Sequence, residues 1–378
     1  MFAVLLVNDI VLLMFGFLGF YYFTRSLEQN SLALAALAGV CLGLTFLCKY
    51  LSVPLFAGMI AYLLFNRRPG VWKIVLVAVA FASLFVLENI YFNLNNCWNN
   101  ILFNLVARTK GSGFNPSSLF LYFITLMLVV PPQALYRLVK LYPQCLSPLI
   151  KQAVYIISSF FVVFLIVSSF NVIGLHWLYL PVAFIYLVLC LLPRERLPGL
   201  LKFNAFFSIM IGTVLLLVVV EFDTLFADNK QYREALVYTQ TESICHALPE
   251  GETIYTLGYS DNSVLAYHCK NNNFHVFADT SKYGREGDKH INYSELDGST
   301  INILLSDIDD SKKVEEYFSS VETTPIHMSA DIDYYLLEGK NFSFERYRPV
   351  IKEIIGAYYS PPAWLPAASC NFRQRYGL

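Results

Sequence analysis

Acidic residues are nearly missing from the first 220 positions of this chain. Of 28 Asp and Glu residues, only Asp9, Glu28, Glu88 and Glu195 precede Glu221, and the rest crowd into the remaining tail. Basic residues, 27 in all, divide almost evenly between the two parts. An ionised carboxylate is costly in hydrocarbon, so a long stretch with four acids and extended apolar runs belongs in lipid. The tail instead has the composition of a water-soluble domain. A net charge of −1 and the lack of a basic tail argue against nucleic acid or an acidic partner. No CxxC pair or His/Cys cluster has the spacing of a zinc site. Internal repeats are lacking too, and with them the main sequence sign of a transporter.

What is present is a series of apolar runs. A spanning helix takes roughly 20 mostly apolar residues, and eight candidates qualify: 3–23, 32–48, 51–66, 72–92, 117–137, 151–169, 175–193 and 203–221. The second and third are short and almost fused at "CKYLSVP", as a tight hairpin or a broken helix would be. The expected fold is therefore a polytopic α-helical membrane protein of about eight spans with a small C-terminal α/β soluble domain. Its divisions would be 1–221 in the membrane, 222–340 as the soluble domain and 341–378 as an aromatic, Pro-rich extension.

Loop cations orient the spans. Arg25, the stretch "NRRPGVWK" (Asn66–Lys73), the trio Arg137, Lys140 and Lys151, and "PRERLPGLLK" (Pro193–Lys202) all fall on one side if the spans alternate. The positive-inside rule makes that side cytoplasmic. Met1, the Lys49 junction, the Asn-rich stretch Asn93–Gly111 and the whole C-terminal domain then face outward. No cation precedes the first span, and neither a charged start nor a small-residue cleavage site marks a signal peptide. One or more spans upstream of Met1 are expected.

In the tail, 227–251 reads as a helix stopping at Leu-Pro-Glu-Gly. Strands are expected at 253–260, 263–269, 273–279, 300–309 and 333–339, with a charged helix at 310–320. Cys245 and Cys269 lie outside the membrane, where a disulfide persists; Cys97 and Cys370 are further outward candidates. Cys41, Cys48, Cys145 and Cys190 read as packing residues. The histidines of the tail, His268, His275, His290 and His327, follow no ligand spacing.

Polar residues of the membrane part gather at its outer edge: Asp9, Lys49, Tyr50, Asn93, Trp98, Asn104, Arg108, His176 and Trp177. Each has a plain explanation, since lysines snorkel and tryptophans form interfacial belts. Asp9 is harder to dismiss, because an intramembrane carboxylate needs a partner or water. Together the set suits a ligand with a sugar, a phosphate and a lipid tail. Cations neutralise phosphate, amides bond hydroxyls, aromatics pack on sugar or isoprenoid faces, and a carboxylate assists proton removal from an acceptor hydroxyl.

Four stretches carry a family resemblance. "AALAGVCLGLTFLCKYLSVPLF" (35–56) resembles the Gly-rich helix ending in an "lxKy" signature in GT-C type membrane glycosyltransferases. "YFNLNNCWNNILFNLVAR" (91–108) resembles their "wN(x4)WxxFxFQ" stretch, with Ile101 for an aromatic and Asn104 for glutamine. "LHWLYLPVAF" (175–184) is similar to their late "HW/HYxxPxxP" helix start, and "NDIVLLMFGFLGFYYF" (8–23) to their "xDxxlxfFxxlalyxf" span. The family includes protein mannosyltransferases and the aminoarabinose and galacturonic acid transferases of lipid A.

The resemblance implies transfer of a sugar from a polyprenyl-phosphate donor to a lipid A, glycan or protein acceptor at the outer face of a bacterial inner membrane, with a periplasmic C-terminal domain. It makes Asp9 a catalytic residue, the second acidic residue of the active cavity, and puts Lys49 and Arg108 near the donor phosphate. Tyr50, Asn93, Trp98, Asn104, His176 and Trp177 would line the cavity. His176 matches a position that in some relatives helps hold a divalent metal ion; no other cofactor is implied. The family's main carboxylates precede the region matched here, so the resemblance agrees with an upstream segment and leaves the activity of this chain by itself open. Two alternatives also stay open: a transporter or flippase of a lipid-linked sugar, and a non-catalytic remnant with a binding outer domain.

Overall fold

A computed structural model describes residues 8–66, 69–107, 113–130, 132–141, 147–191, 197–221, 230–270, 272–277, 287–328 and 332–378. The chain divides into two compact units: 1–92 with 109–213, and 93–108 with 214–378.

The first unit is built from apolar helices: α1 (Asn8–Gln29), α2 (Leu32–Cys48), α3 (Val53–Phe65), α4 (Val71–Asn95), α5 (Pro116–Val129), α6 (Pro132–Leu141), α7 (Pro148–Ser168), α8 (Tyr179–Cys190) and α9 (Leu197–Val220). α4 and α9 each run past the unit's edge. Local chemistry sets the ends. Asn30 adopts φ +50 after α1, a left-handed residue that stops a helix. The Ser31 hydroxyl then accepts from the Leu34 N–H to open α2. Asn115 and Ser147 cap α5 and α7 in the same way, each followed by a proline at the first helical position.

Seven of the eight expected segments each fall on one apolar helix, whereas 117–137 is divided between α5 and the amphipathic α6. Among the described residues, however, only four helices reach spanning length: Asp9–Gln29, Val71–Asn95, Pro148–Ser168 and Pro198–Val220. The others are Leu32–Cys48, Tyr50–Phe65, Pro116–Val129 and Leu175–Cys190. Breaks shorten them. Lys49 is fully extended (φ −168, ψ 138) between α2 and the short turn Tyr50–Ser52, and α5 stops before Pro131 and Pro132, where proline cannot continue it. The junction at Lys49 is thus the broken-helix option.

Small residues let the helices approach. A Cβ on Gly39 would sit 2.3 Å from the Ala78 carbonyl oxygen, and one on Gly43 2.3 Å from Phe85, so α2 lies directly on α4. α1 packs on α8 through Phe17 and Phe184, whose rings stack at 4.5 Å, with Phe20 edge-on to Phe184.

The second unit centres on a five-stranded sheet of order β2-β1-β3-β5-β4, with β1 (Thr253–Thr256), β2 (Asn273–Val276), β3 (Ile301–Leu305), β4 (Ser320–His327) and β5 (Asp333–Lys340). β1 pairs in parallel with β2 and β3, whereas β5 is antiparallel to β3 and β4. Strand periodicity divides the side chains between two cores. Ile254, Leu304 and Tyr334 pack with α10 (Lys230–Thr239), α11 (Thr241–Ala247) and α12 (Tyr259–His268) on one face. Tyr255, Ile303 and Leu337 pack with α13 (Phe344–Tyr358) on the other.

Several expectations for the tail need correction. The expected helix 227–251 is two helices meeting at Gln240, with 227–229 outside the described residues. Residues 263–269, expected as a strand, lie largely in α12, which crosses from β1 to its parallel neighbour β2; parallel strands require such a crossover. The expected helix 310–320 is instead a pair of 3₁₀ turns, Ile308–Lys313 and Glu315–Tyr317. Disulfides link Cys245 to Cys269 and Cys97 to Cys370.

Candidate functional site

The break between α2 and α3 positions the charged pair of the first unit. Because Lys49 leaves the helix, its ammonium reaches a residue 40 positions earlier. Lys49 Nζ donates to both Asp9 carboxylate oxygens at 2.8 Å. Asp9 is 3% exposed, while the Lys49 side chain keeps 30% of its surface open. The buried carboxylate on an apolar helix is thereby paired with a cation that keeps part of its surface open, which is how such a charge is tolerated.

One residue further, the Tyr50 hydroxyl donates to Asn89 Oδ1 at 2.8 Å, and Asn89 is buried. This fastens the turn to α4. Ser52, on the same turn, is fully buried, and its hydroxyl finds no hydrogen-bond partner among the described residues. A Cβ on Gly16 would meet Leu180, Leu55 and Thr45, so α1, α2, α3 and α8 converge one helical stretch below Asp9. The Tyr179 hydroxyl lies within electrostatic range of the Asp9 carboxylate.

His176 and Trp177 occupy the turn Leu175–Leu178 that leads into Tyr179. His176 is exposed and Trp177 half-buried, its ring 6.3 Å from that of Phe164. Among the described residues no group of three His, Cys, Asp or Glu side chains is placed to hold a metal ion.

The remaining expected site residues belong to the second unit. Asn93 is fully buried, and its side-chain carbonyl accepts from the Ile101 N–H. Trp98 is 4% exposed and donates its indole N–H to the Pro366 carbonyl at 2.8 Å. Asn104 Nδ2 donates to the Asn100 backbone and side-chain oxygens at 2.9 Å. Arg108 lies outside the described residues. Cys97 and Trp98 both adopt left-handed backbone, φ +56 and +58, a conformation uncommon for residues with side chains. The Asn-rich stretch is therefore a folded segment of the second unit, tied to the C-terminal extension.

Sequence reasoning passed over Asn89, Ser52 and Tyr179. A polar residue inside the 72–92 run was the available signal for Asn89; nothing in the sequence marked the other two. The second unit also holds a cavity of about 500 Å3 beside the Cys245–Cys269 disulfide, lined by Glu242, His246, Glu250 and His268 among others. It shares no residue with the Asp9–Lys49 group.

The comparisons fall on the part of the chain that carries this pair. The model of the dolichyl-phosphate-mannose-protein mannosyltransferase family matches residues 1–92, which include Asp9, Lys49, Tyr50 and Asn89. This first quarter of the chain is thus similar to glycosyltransferases of the GT-C type. No curated protein and no solved structure matches the chain.

Proposed function

We propose that the chain is a membrane glycosyltransferase that moves a sugar from a polyprenyl-phosphate donor to a lipid, glycan or protein acceptor at the outer face of the inner membrane. The observation that carries this reading is the ion pair itself, inside the stretch that the family model matches. A carboxylate and a partly exposed ammonium are held together where a helix breaks, and the pair suits an exchange. A donor phosphate oxygen would take the Lys49 ammonium, for which phosphate competes well. Asp9, released, would accept the proton of the acceptor hydroxyl. The acceptor oxygen then bonds the anomeric carbon of the sugar, the bond from that carbon to the phosphate oxygen breaks, and the polyprenyl phosphate leaves with the electron pair.

Tyr50, His176 and Trp177 are further candidates in the same unit for contacts to the sugar, and the family resemblance adds Asn93, Trp98, Asn104 and Arg108 as sequence-based candidates. His176 is the proposed metal-facing position if the reaction uses a divalent ion. Two disulfides support an outward, periplasmic C-terminal unit, since such bonds persist in oxidising compartments; the loop cations point the same way.

The test uses the whole protein in lipid nanodiscs with polyprenyl-phosphate hexoses and pentoses and a membrane-lipid acceptor fraction. Mass spectrometry follows loss of sugar from the donor. Lys49→Met should raise the donor KM and Asp9→Asn should lower kcat, each by roughly 10²-fold or more. Turnover at the wild-type rate in both variants would sink the reading. Movement of intact donor across the bilayer, with no cleavage, would replace it with transport.

A further inference from the structure

We propose that the segment 360–368 is a membrane-interface anchor that seats Trp364 among the headgroups and upper acyl chains of the leaflet where α4 ends. The 25 residues of α4 extend about 37 Å, more than the roughly 30 Å of a hydrocarbon core, so its last turn reaches the boundary with water. Tyr91, one turn before that end, is 70% exposed, as an interfacial belt residue would be.

The C-terminal extension is fastened to this helix end by four bonds. The Ser369 N–H donates to the Leu94 carbonyl at 2.8 Å, and the Cys97 N–H donates to the Ser369 carbonyl at 2.9 Å. Cys97 is disulfide-bonded to Cys370. The Trp98 indole donates to the Pro366 carbonyl at 2.8 Å. Trp364 lies two residues from Pro366, about 7 Å of chain at most, so it cannot stray far from the boundary. The Leu365 N–H closes a tight turn onto the Pro362 carbonyl at 3.0 Å and presents the indole outward.

Composition completes the case. From Ile354 to Phe372 there is no charged residue. Trp364 is 70% exposed, and Ala363, Pro366 and Ala367 are exposed beside it. In water this uncharged, proline-stiffened turn gains nothing from an exposed indole. At headgroup depth the ring is desolvated while its N–H stays hydrated, the environment tryptophan prefers. Trp98, buried and already bonded, is not available for that role. The occupant of the surface is therefore lipid.

Fluorescence of the whole protein in phospholipid vesicles tests this. The signal of Trp364 is isolated as wild type minus Trp364→Phe, with the Cys97–Cys370 bond checked on non-reducing gels in both. A nitroxide attached to lipid headgroups should quench this difference signal several-fold more than aqueous iodide does. Equal or stronger quenching by iodide would overturn the proposal, because the indole would then face bulk water. The result does not depend on catalytic activity, so it stands or falls apart from the transferase reading.

Discussion

At the scale of single residues, the question is whether Asp9 and Lys49 serve structure, chemistry or both. Removing one member of a buried pair leaves the other charge uncompensated, at a cost that partial exposure of Lys49 reduces to about 1–3 kcal/mol. Asp9→Asn and Lys49→Met should each lower the thermal stability of the protein in nanodiscs by that amount. The double variant should lose less than the sum, because neither charge is then stranded. Strictly additive losses would mean that the two side chains do not meet. A second titrating group lies in the soluble unit. Burial, and then the charge of nearby His290, hold the His275 imidazole below its ordinary pKa. The unfolded chain therefore takes up a proton before the folded one does. This contribution leaves stability unchanged above the ordinary histidine pKa, reduces it as pH falls below that value, and levels off beneath the lowered folded pKa. His275→Gln should flatten the decline in melting temperature between neutral and mildly acidic pH; an unaltered slope would remove His275 as its source.

At the scale of elements, close approach of α2 and α4 makes the glycines unequal. Alanine is the better helix former by about 1 kcal/mol, yet a methyl group on Gly39 would meet the Ala78 carbonyl at 2.3 Å. Gly39→Ala should destabilise the protein in melting experiments. Gly212→Ala, on α9 with nothing within 4 Å, should be neutral or slightly stabilising, and the reverse order would refute the packing. The same contrast explains what the sequence could disclose. Apolar runs announce helices well, since lipid demands uniform hydrophobicity, so most of the helices of the first unit were legible as segments, while α6 was merged with α5 in the expected 117–137. The short second and third segments and a break or tight hairpin near Lys49 were legible as well; what was not was that Lys49 leaves the helix to pair with Asp9, 40 positions away. In the soluble unit, Ser263–Cys269 carries a local strand pattern that the β1–α12–β2 crossover overrides. β4 escaped notice because Pro325 reads against a strand, although an edge position tolerates it. α13 was hidden by Pro349 within it and by the aromatic stretch that follows.

At the scale of the whole molecule, the Asn93–Gly111 stretch stood out in sequence and Cys97 and Cys370 were both outward candidates, but that they pair could not be read there. Cys97 and Cys370 stand 273 residues apart, and no local pattern links positions so distant. The stretch holds two successive left-handed residues, Cys97 and Trp98, each costing about 1–3 kcal/mol and persisting only where the surroundings over-determine the backbone. Here the surroundings are the disulfide, the paired backbone bonds between Leu94, Cys97 and Ser369, and the indole bond to Pro366. If the covalent link supplies part of that determination, cutting it should loosen the segment locally before the sheet is affected. Cys97→Ser and Cys370→Ser should each speed hydrogen exchange of the Cys97-position and Ser369 amides by on the order of tenfold or more, while exchange in β1, β3 and β5 stays at its wild-type rate. The comparison variant Cys245→Ser, which opens a link of sequence separation 24, should leave those two amides unchanged. Unaltered exchange at Ser369 in the Cys97 variant would mean that the hydrogen bonds alone hold the extension in place. Acceleration across the sheet would instead make the disulfide a global staple of the second unit.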